Sequence, residues 1–124
     1  MTEILKQTIE EEVSKLPKDV QEAINAFDWV KVTEEIGKKY SLTEGEINDF
    51  QVETLLVLVG LENIDYYAQN IENNVGTSEN EAEKIGGESI EKIFSPINDI
   101  IIEKIKKNPK NKNPNWKQSL DFIL

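Results

Sequence analysis

Apolar residues recur along this chain at three- and four-residue intervals, in stretches divided by single prolines, glycines and short polar turns. That pattern predicts a series of amphipathic helices. Glu3 to Leu16 places Ile4, Leu5, Ile9, Val13 and Leu16 on one stripe, with Thr2 as its N-cap. Pro17 ends this helix and can open a second, because the first helical position has no use for an N–H. Val20, Ile24 and Phe27 give the second helix its apolar face. Asp28 is the predicted N-cap of a third, in which Trp29, Val32, Ile36 and Tyr40 line up.

Thr43-Glu44-Gly45-Glu46 has the spacing of a capping box and opens a fourth helix that runs to about Val59. Its second half, Leu55 to Val59, is apolar on every side, which predicts a helix enclosed at the centre of the fold. A continuous apolar run is also compatible with a buried strand. Helical spacing from Ile47 and Phe50, and the lack of a second strand to pair with, select the helix. Gly60 fits a left-handed stop followed by hydrophobic Leu61. A fifth helix, from about Ile64 to Asn74, turns Ile64, Tyr67, Ala68, Ile71 and then Val75 inward before Gly76 ends it.

Ser78 and Glu81 form a second capping-box signature, and the sixth helix carries Ala82, Ile85, Ser89, Ile90, Ile93 and Phe94. Gly86-Gly87 inside it costs about 1 kcal/mol of helix propensity per glycine. That calls for a neighbouring helix in close approach, a flexible joint or a docking notch. Pro96 must kink or break this helix, since it lacks an N–H and collides with the preceding turn. Ile97, Ile100, Ile101 and Ile105 continue an apolar face beyond it. Residues 106–115 contain no apolar side chain and two prolines, and Trp116, Leu120, Phe122, Ile123 and Leu124 follow as a dense apolar cluster.

The expected fold is therefore all-α, a compact orthogonal bundle of six or seven helices over residues 1–107. Residues 108–124 are expected to form a basic linker and an ordered apolar C-terminal tail, docked on its own body or on a neighbouring molecule. With 124 residues, 38% hydrophobic and 31% charged, the chain has the size and composition of one globular domain. No segment approaches the roughly 18 consecutive apolar residues of a membrane span. Met1 to Glu12 is acidic and lacks the basic start of a secretory signal, so a cytoplasmic location is expected.

Composition then narrows the chemistry. Cysteine and histidine are absent, which removes disulfides, thiolate nucleophiles, Cys/His zinc sites and imidazole bases. All 14 basic residues are lysines, so the bidentate forks of arginine phosphate clamps are missing too. Residues 1–99 hold 8 lysines and 22 acids, whereas residues 100–124 hold 6 lysines and 2 acids. An acidic body repels nucleic acid and anionic membranes, while the basic end can dock on that body or reach an acidic partner.

Three constellations invite chemistry. Val30 to Phe50 has the outline of a helix-turn-helix with its turn at Ser41-Leu42-Thr43, but its second helix begins Glu44-Gly45-Glu46 and carries Asp49 and Glu53, the wrong sign for phosphate. The runs Glu10-Glu11-Glu12, Glu34-Glu35 and Glu79/Glu81/Glu83 lack the loop spacing and glycine of a calcium site and read as solvated faces. Among 24 acids, some carboxylate pair always exists, so paired-carboxylate hydrolysis has no specific support.

Glu53-Thr54-Leu55-Leu56-Val57-Leu58-Val59-Gly60-Leu61, and Glu81-Ala82-Glu83-Lys84-Ile85 running on to Lys92-Ile93-Phe94-Ser95-Pro96-Ile97, carry a resemblance. With Leu16 to Tyr40 as lead-in, the chain from about Leu16 to Ile102 resembles a small helical domain found in uncharacterised proteins of candidate-phyla bacteria. The resemblance implies packing, and no function carries over from it. The sequence thus predicts a non-catalytic protein–protein interaction or structural module that needs no cofactor and no metal. Its contact candidates are Trp116, Leu120, Phe122, Ile123 and Leu124, used toward a protein partner or in self-association. The alternative is a nucleic-acid-associated regulator acting through the helix-turn-helix-like segment or the lysine-rich tail.

Overall fold

The computed structural model describes residues 3–107, and every regular element among them is helical. Thr2 and the tail residues Trp116, Leu120, Phe122, Ile123 and Leu124 lie outside the described residues. The elements are α1 (Glu3–Ser14), α2 (Lys18–Ala26), α3 (Trp29–Lys39), α4 (Glu44–Leu58), a 3₁₀ turn (Ile64–Tyr66) leading into α5 (Tyr67–Val75), α6 (Glu79–Ser89), a π turn (Ile90–Phe94) and α7 (Ser95–Lys107).

The helix boundaries follow local chemistry. The Asp28 carboxylate accepts the Lys31 N–H at 3.2 Å and starts α3. At α4 both halves of the capping box form: Glu46 N–H donates to Thr43 Oγ1 at 3.2 Å, and Thr43 N–H donates to Glu46 Oε1 at 2.8 Å. Gly60, at φ +80°, closes α4 in a Schellman motif, with Leu61 N–H on Leu56 O and Gly60 N–H on Val57 O. Ser78 caps α6 by accepting the Glu81 N–H at 3.1 Å. Pro17 stands at the N-cap of α2, one position before the expected one.

Pro96 neither breaks the long C-terminal helix nor leaves it purely α-helical. The turn before it widens, and Ser95 N–H bonds back five residues to Ile90 O. One extra residue in that turn moves the carbonyls out of the way of the proline ring, which then sits in the first turn of α7, where its missing N–H costs little. Glu79 to Lys107 is consequently one unbroken helical run.

The core is shared rather than built around one enclosed helix. Phe50, Leu55 and Val57 of α4 meet Ala23 and Ile24 of α2, Trp29 and Ile36 of α3, and Tyr67 and Ile71 of α5 in one buried cluster with Ile85, Ile93, Phe94, Ile97 and Ile101. The expectation that α4 is enclosed on all sides is corrected: Leu56, Leu58 and Val59 are half-buried, and Gln51, Glu53 and Thr54 are buried polar residues on the same helix. Two positions assigned to apolar faces also lie outside. Ile4 is 77% exposed, and Ile90 faces partly outward from the π turn.

Several of the polar groups inside are paired across helices, although Asp19, Gln51, Glu53 and Asn98 each keep one buried oxygen without a hydrogen-bond partner. Gln51 Nε2 donates to Thr33 Oγ1 at 3.1 Å, joining α4 to α3. Thr54 Oγ1 donates to Phe50 O at 2.9 Å, so Tyr67, 2.7 Å away, is the donor to Thr54. Burial pushes the Tyr67 phenol well up, and it stays neutral. Its ring meets Phe94 edge-on at 5.2 Å.

The two neighbouring glycines of α6 have different reasons to exist. A Cβ on Gly86 would meet Ala68 Cβ at 3.4 Å, so this glycine lets α5 approach, as one of the sequence readings expects. Nothing lies within 4 Å of the same atom on Gly87. Gly87→Ala is expected to raise stability by about 0.5–1 kcal/mol, because only the propensity term changes. Urea denaturation checks this, and a destabilised variant would mean that Gly87 carries a constraint absent from this packing.

Candidate functional site

The concave feature with the clearest chemical character lies where α5 and α6 pack together. Asn63 starts the 3₁₀ turn by accepting the Asp65 N–H at 2.9 Å, which sets Asp65 at the head of α5. Ala68, Gln69 and Glu72 follow on one helix face at three- and four-residue spacing. Glu79 and Glu83, one turn apart at the start of α6, form the opposite wall. Together these six residues line an open groove of about 420 Å³.

Four of the six are carboxylates, and none of the ion pairs among the described residues includes one of them. Glu79 gains from the positive end of the α6 dipole. Glu83 does not, and it sits one turn from Glu79, where like charges repel. The acids are spread along the walls rather than converging: among the described residues no group of three or more is placed to hold a metal ion. An elongated cationic segment matches this distribution better than a point charge.

Two further charged clusters flank the fold. Glu88 of α6 accepts from Lys39 Nζ at 2.5 Å, from Tyr40 Oη at 2.8 Å and from Lys92 Nζ at 3.4 Å, tying α3 to the π turn. The Lys39 hydrogen bond, against some desolvation, holds the Glu88 carboxyl below its usual range. On the other side, Glu53 Oε1 accepts Asn74 Nδ2 at 2.8 Å, and Glu62 Oε2 accepts Asn70 Nδ2 at 2.6 Å. Burial pushes the Glu53 carboxyl up; the Asn74 bond opposes this, and the neighbouring Glu62 and Asp49 add to it.

The sequence-level candidates fare unevenly. In the helix-turn-helix-like segment, α3 and α4 do pack together, and Ser41 takes a left-handed φ of +59° in the turn. The would-be recognition helix, however, buries Ile47, Phe50, Gln51, Glu53, Thr54, Leu55 and Val57, and its exposed first turn is acidic. Of the lysines at the basic end, Lys104 reaches Glu22 at 3.0 Å and so neutralises part of the acidic body. Of the acidic runs, Glu79 and Glu83 enter the groove, while Glu10 and Glu11 are exposed on α1. Asp65 and Glu72 were not singled out by sequence; only the pairing of α5 with α6 brings them opposite Glu79 and Glu83. Among the described residues, no helix is long and apolar enough to cross a membrane.

Comparison with known protein families, curated proteins and solved structures finds no match for this chain.

Proposed function

We propose that this chain is a non-catalytic protein–protein interaction module that receives a positively charged segment of a protein in the groove between α5 and α6. The observation that carries the reading is the set of four carboxylates, Asp65, Glu72, Glu79 and Glu83, held around one concavity with no lysine among the described residues paired to them. Such a surface speeds and orients the approach of a cationic partner, and a lysine-rich segment relieves its internal repulsion.

The basic end of the chain supplies a second contact element in this reading. From Glu83 to Lys107 the helical run covers 24 residues, which at 1.5 Å per residue is about 36 Å. Lys110 and Lys112 follow Lys107 by at most five residues, or about 17 Å of fully extended chain. In this reading Lys110, Lys112 and Lys117 are offered to the groove of a second molecule. Trp116, Leu120, Phe122, Ile123 and Leu124 then act as the apolar anchor of the same contact, toward a protein partner or a second copy.

Light scattering on a size-exclusion column tests this with the full chain, a chain ending at Asn108, and a full-length Glu72→Lys/Glu83→Lys variant. A dimer lost in both altered proteins, with helicity kept, supports association through tail and groove. If all three are monomers, a synthetic lysine-rich peptide is titrated against the full chain at low salt. Absence of salt-sensitive binding in that titration removes the groove from the proposal. The nucleic-acid alternative rests on the lysine-rich tail alone, given the burial of α4, and predicts salt-dependent binding to duplex DNA or to RNA.

A further inference from the structure

Glu53 lies on the side of α4 turned toward α5 and is 5% exposed. Its two carboxyl oxygens have different surroundings. Oε1 accepts the Asn74 amide, while Oε2 is buried without a hydrogen-bond partner. A charged oxygen in that position is expensive, because it has left water and gained nothing in return. The neighbouring acid is Glu62: the Asn70 that holds it stands one turn before the Asn74 that holds Glu53, so α5 gathers both carboxyls at one place. Two carboxylates that close cannot both be ionised without strong repulsion, whereas one proton between them turns the contact into a hydrogen bond.

We propose that Glu53 and Glu62 share a single proton, and that this proton is a latch holding the connection between α4 and α5 closed. The geometry gives the latch something to hold. Glu62 belongs to the short connection after Gly60, where the Leu61 and Glu62 N–H groups both bond to Leu56 O, at 2.9 and 3.1 Å. Those bonds fix the connection to α4, and the Asn70 bond fixes it to α5. The shared proton is the one tether that responds to pH. When it leaves, Glu62, which is only half-buried, can swing into water, and the connection carrying exposed Leu61 loosens just ahead of Asp65.

The groups that face Glu53 define the sign. Asp49 lies one turn earlier on α4, Glu62 comes from the connection, and α5 contributes the neutral Tyr67 phenol and the Asn74 amide. α3 lies on the other side of α4, where Thr33 meets Gln51. Among the described residues no lysine is paired with either carboxyl. Between the ordinary carboxylate value and the raised folded value, the native state binds more protons than the unfolded chain, so the pair's contribution to stability falls as pH rises through that window. Glu88 has the opposite sign: its stabilisation is present above the ordinary carboxylate value and is lost as pH falls through its lowered folded value.

The test is a carbon-detected NMR titration of the glutamate carboxyls in the full chain, together with amide exchange over residues 60–66. The latch predicts that Glu53 titrates in an upper step, above the ordinary glutamate range. Exchange at residues 60–66, corrected for its intrinsic pH dependence, should accelerate through that upper step. In Glu53→Gln the amide replaces the shared proton permanently, so the acceleration should vanish and Tm at neutral pH should rise by several degrees. An independent titration of Glu53 at or below the ordinary glutamate value overturns the proposal, since it requires no variant to fold. So does the same acceleration in Glu53→Gln as in the parent.

Discussion

Phe94→Ala is expected to lower stability by about 3–5 kcal/mol, a loss that unfolds much of the population when the domain lies near the bottom of the usual range of about 5–15 kcal/mol. The ring is 1% exposed and belongs to the π turn, so its loss opens a cavity where the long helix crosses the core. Beyond that transfer and cavity cost, the substitution removes the edge-on contact with Tyr67, worth about 0.5–1.5 kcal/mol. Urea denaturation followed by circular dichroism measures the change. A loss under about 1 kcal/mol would show that the core closes over the missing ring and that the π turn is not held by it. Tyr67→Phe is the companion variant: it keeps both rings and removes only the hydroxyl that donates to Thr54, so a loss near 1 kcal/mol separates hydrogen bond from packing.

Gly37→Ala is the second large effect. Gly37 of α3 lies against Ile47 of α4, and a Cβ there would stand 2.6 Å from Ile47 Cγ1 and 3.0 Å from Ile47 Cδ1. Alanine ordinarily gains about 1 kcal/mol over glycine within a helix. Here overpacking reverses the sign, and a net loss of about 1–3 kcal/mol is expected as the helices are forced apart. The discriminating measurement is a double-mutant cycle with Ile47→Ala. In that background the clash is gone, and Gly37→Ala should become neutral or stabilising, with a coupling energy above about 1 kcal/mol. Additive effects would place the strain elsewhere in α3.

These two sites also mark what the sequence discloses and what it does not. Caps and stops are local, and they were legible: Asp28, Thr43 with Glu46, Ser78 and Gly60 each act within four residues of themselves. The faces of α2 and α3 were legible for the same reason, since Val20, Ile24, Trp29 and Ile36 repeat at the helical period and are buried. Pairing between helices has no such signature. Gly37 gave no sequence signal because its partner, Ile47, is ten residues away on another helix. The groove failed to appear for the same reason, with Asp65 and Glu72 on one helix and Glu79 and Glu83 on the next.

Polar residues in the interior were the other blind spot. Gln51, Glu53 and Thr54 interrupt no pattern that a hydrophobic stripe would expose, because α4 has apolar residues all round and any polar one reads as its outer face. Their burial depends on Thr33, Asn74 and Tyr67 being delivered by α3 and α5. Pro96 was legible as a disturbance but not as a solution. The propensity argument says that an α-helix cannot pass through it, and says nothing of a wider turn placed just ahead.

That wider turn has a geometric effect apart from accommodating the proline. One additional residue in the wide turn sets everything downstream back by about 100° around the helix axis, relative to an unbroken α-helix. Ala82, Ile85 and Ser89 trace one buried stripe on α6, and Ile97, Asn98 and Ile101 trace another on α7 whose sequence spacing is offset from its straight continuation. The π turn is thus a phase shifter. It brings the two stripes back onto one side of a single uninterrupted rod, which meets α5 and α3 along α6 and α2 along α7.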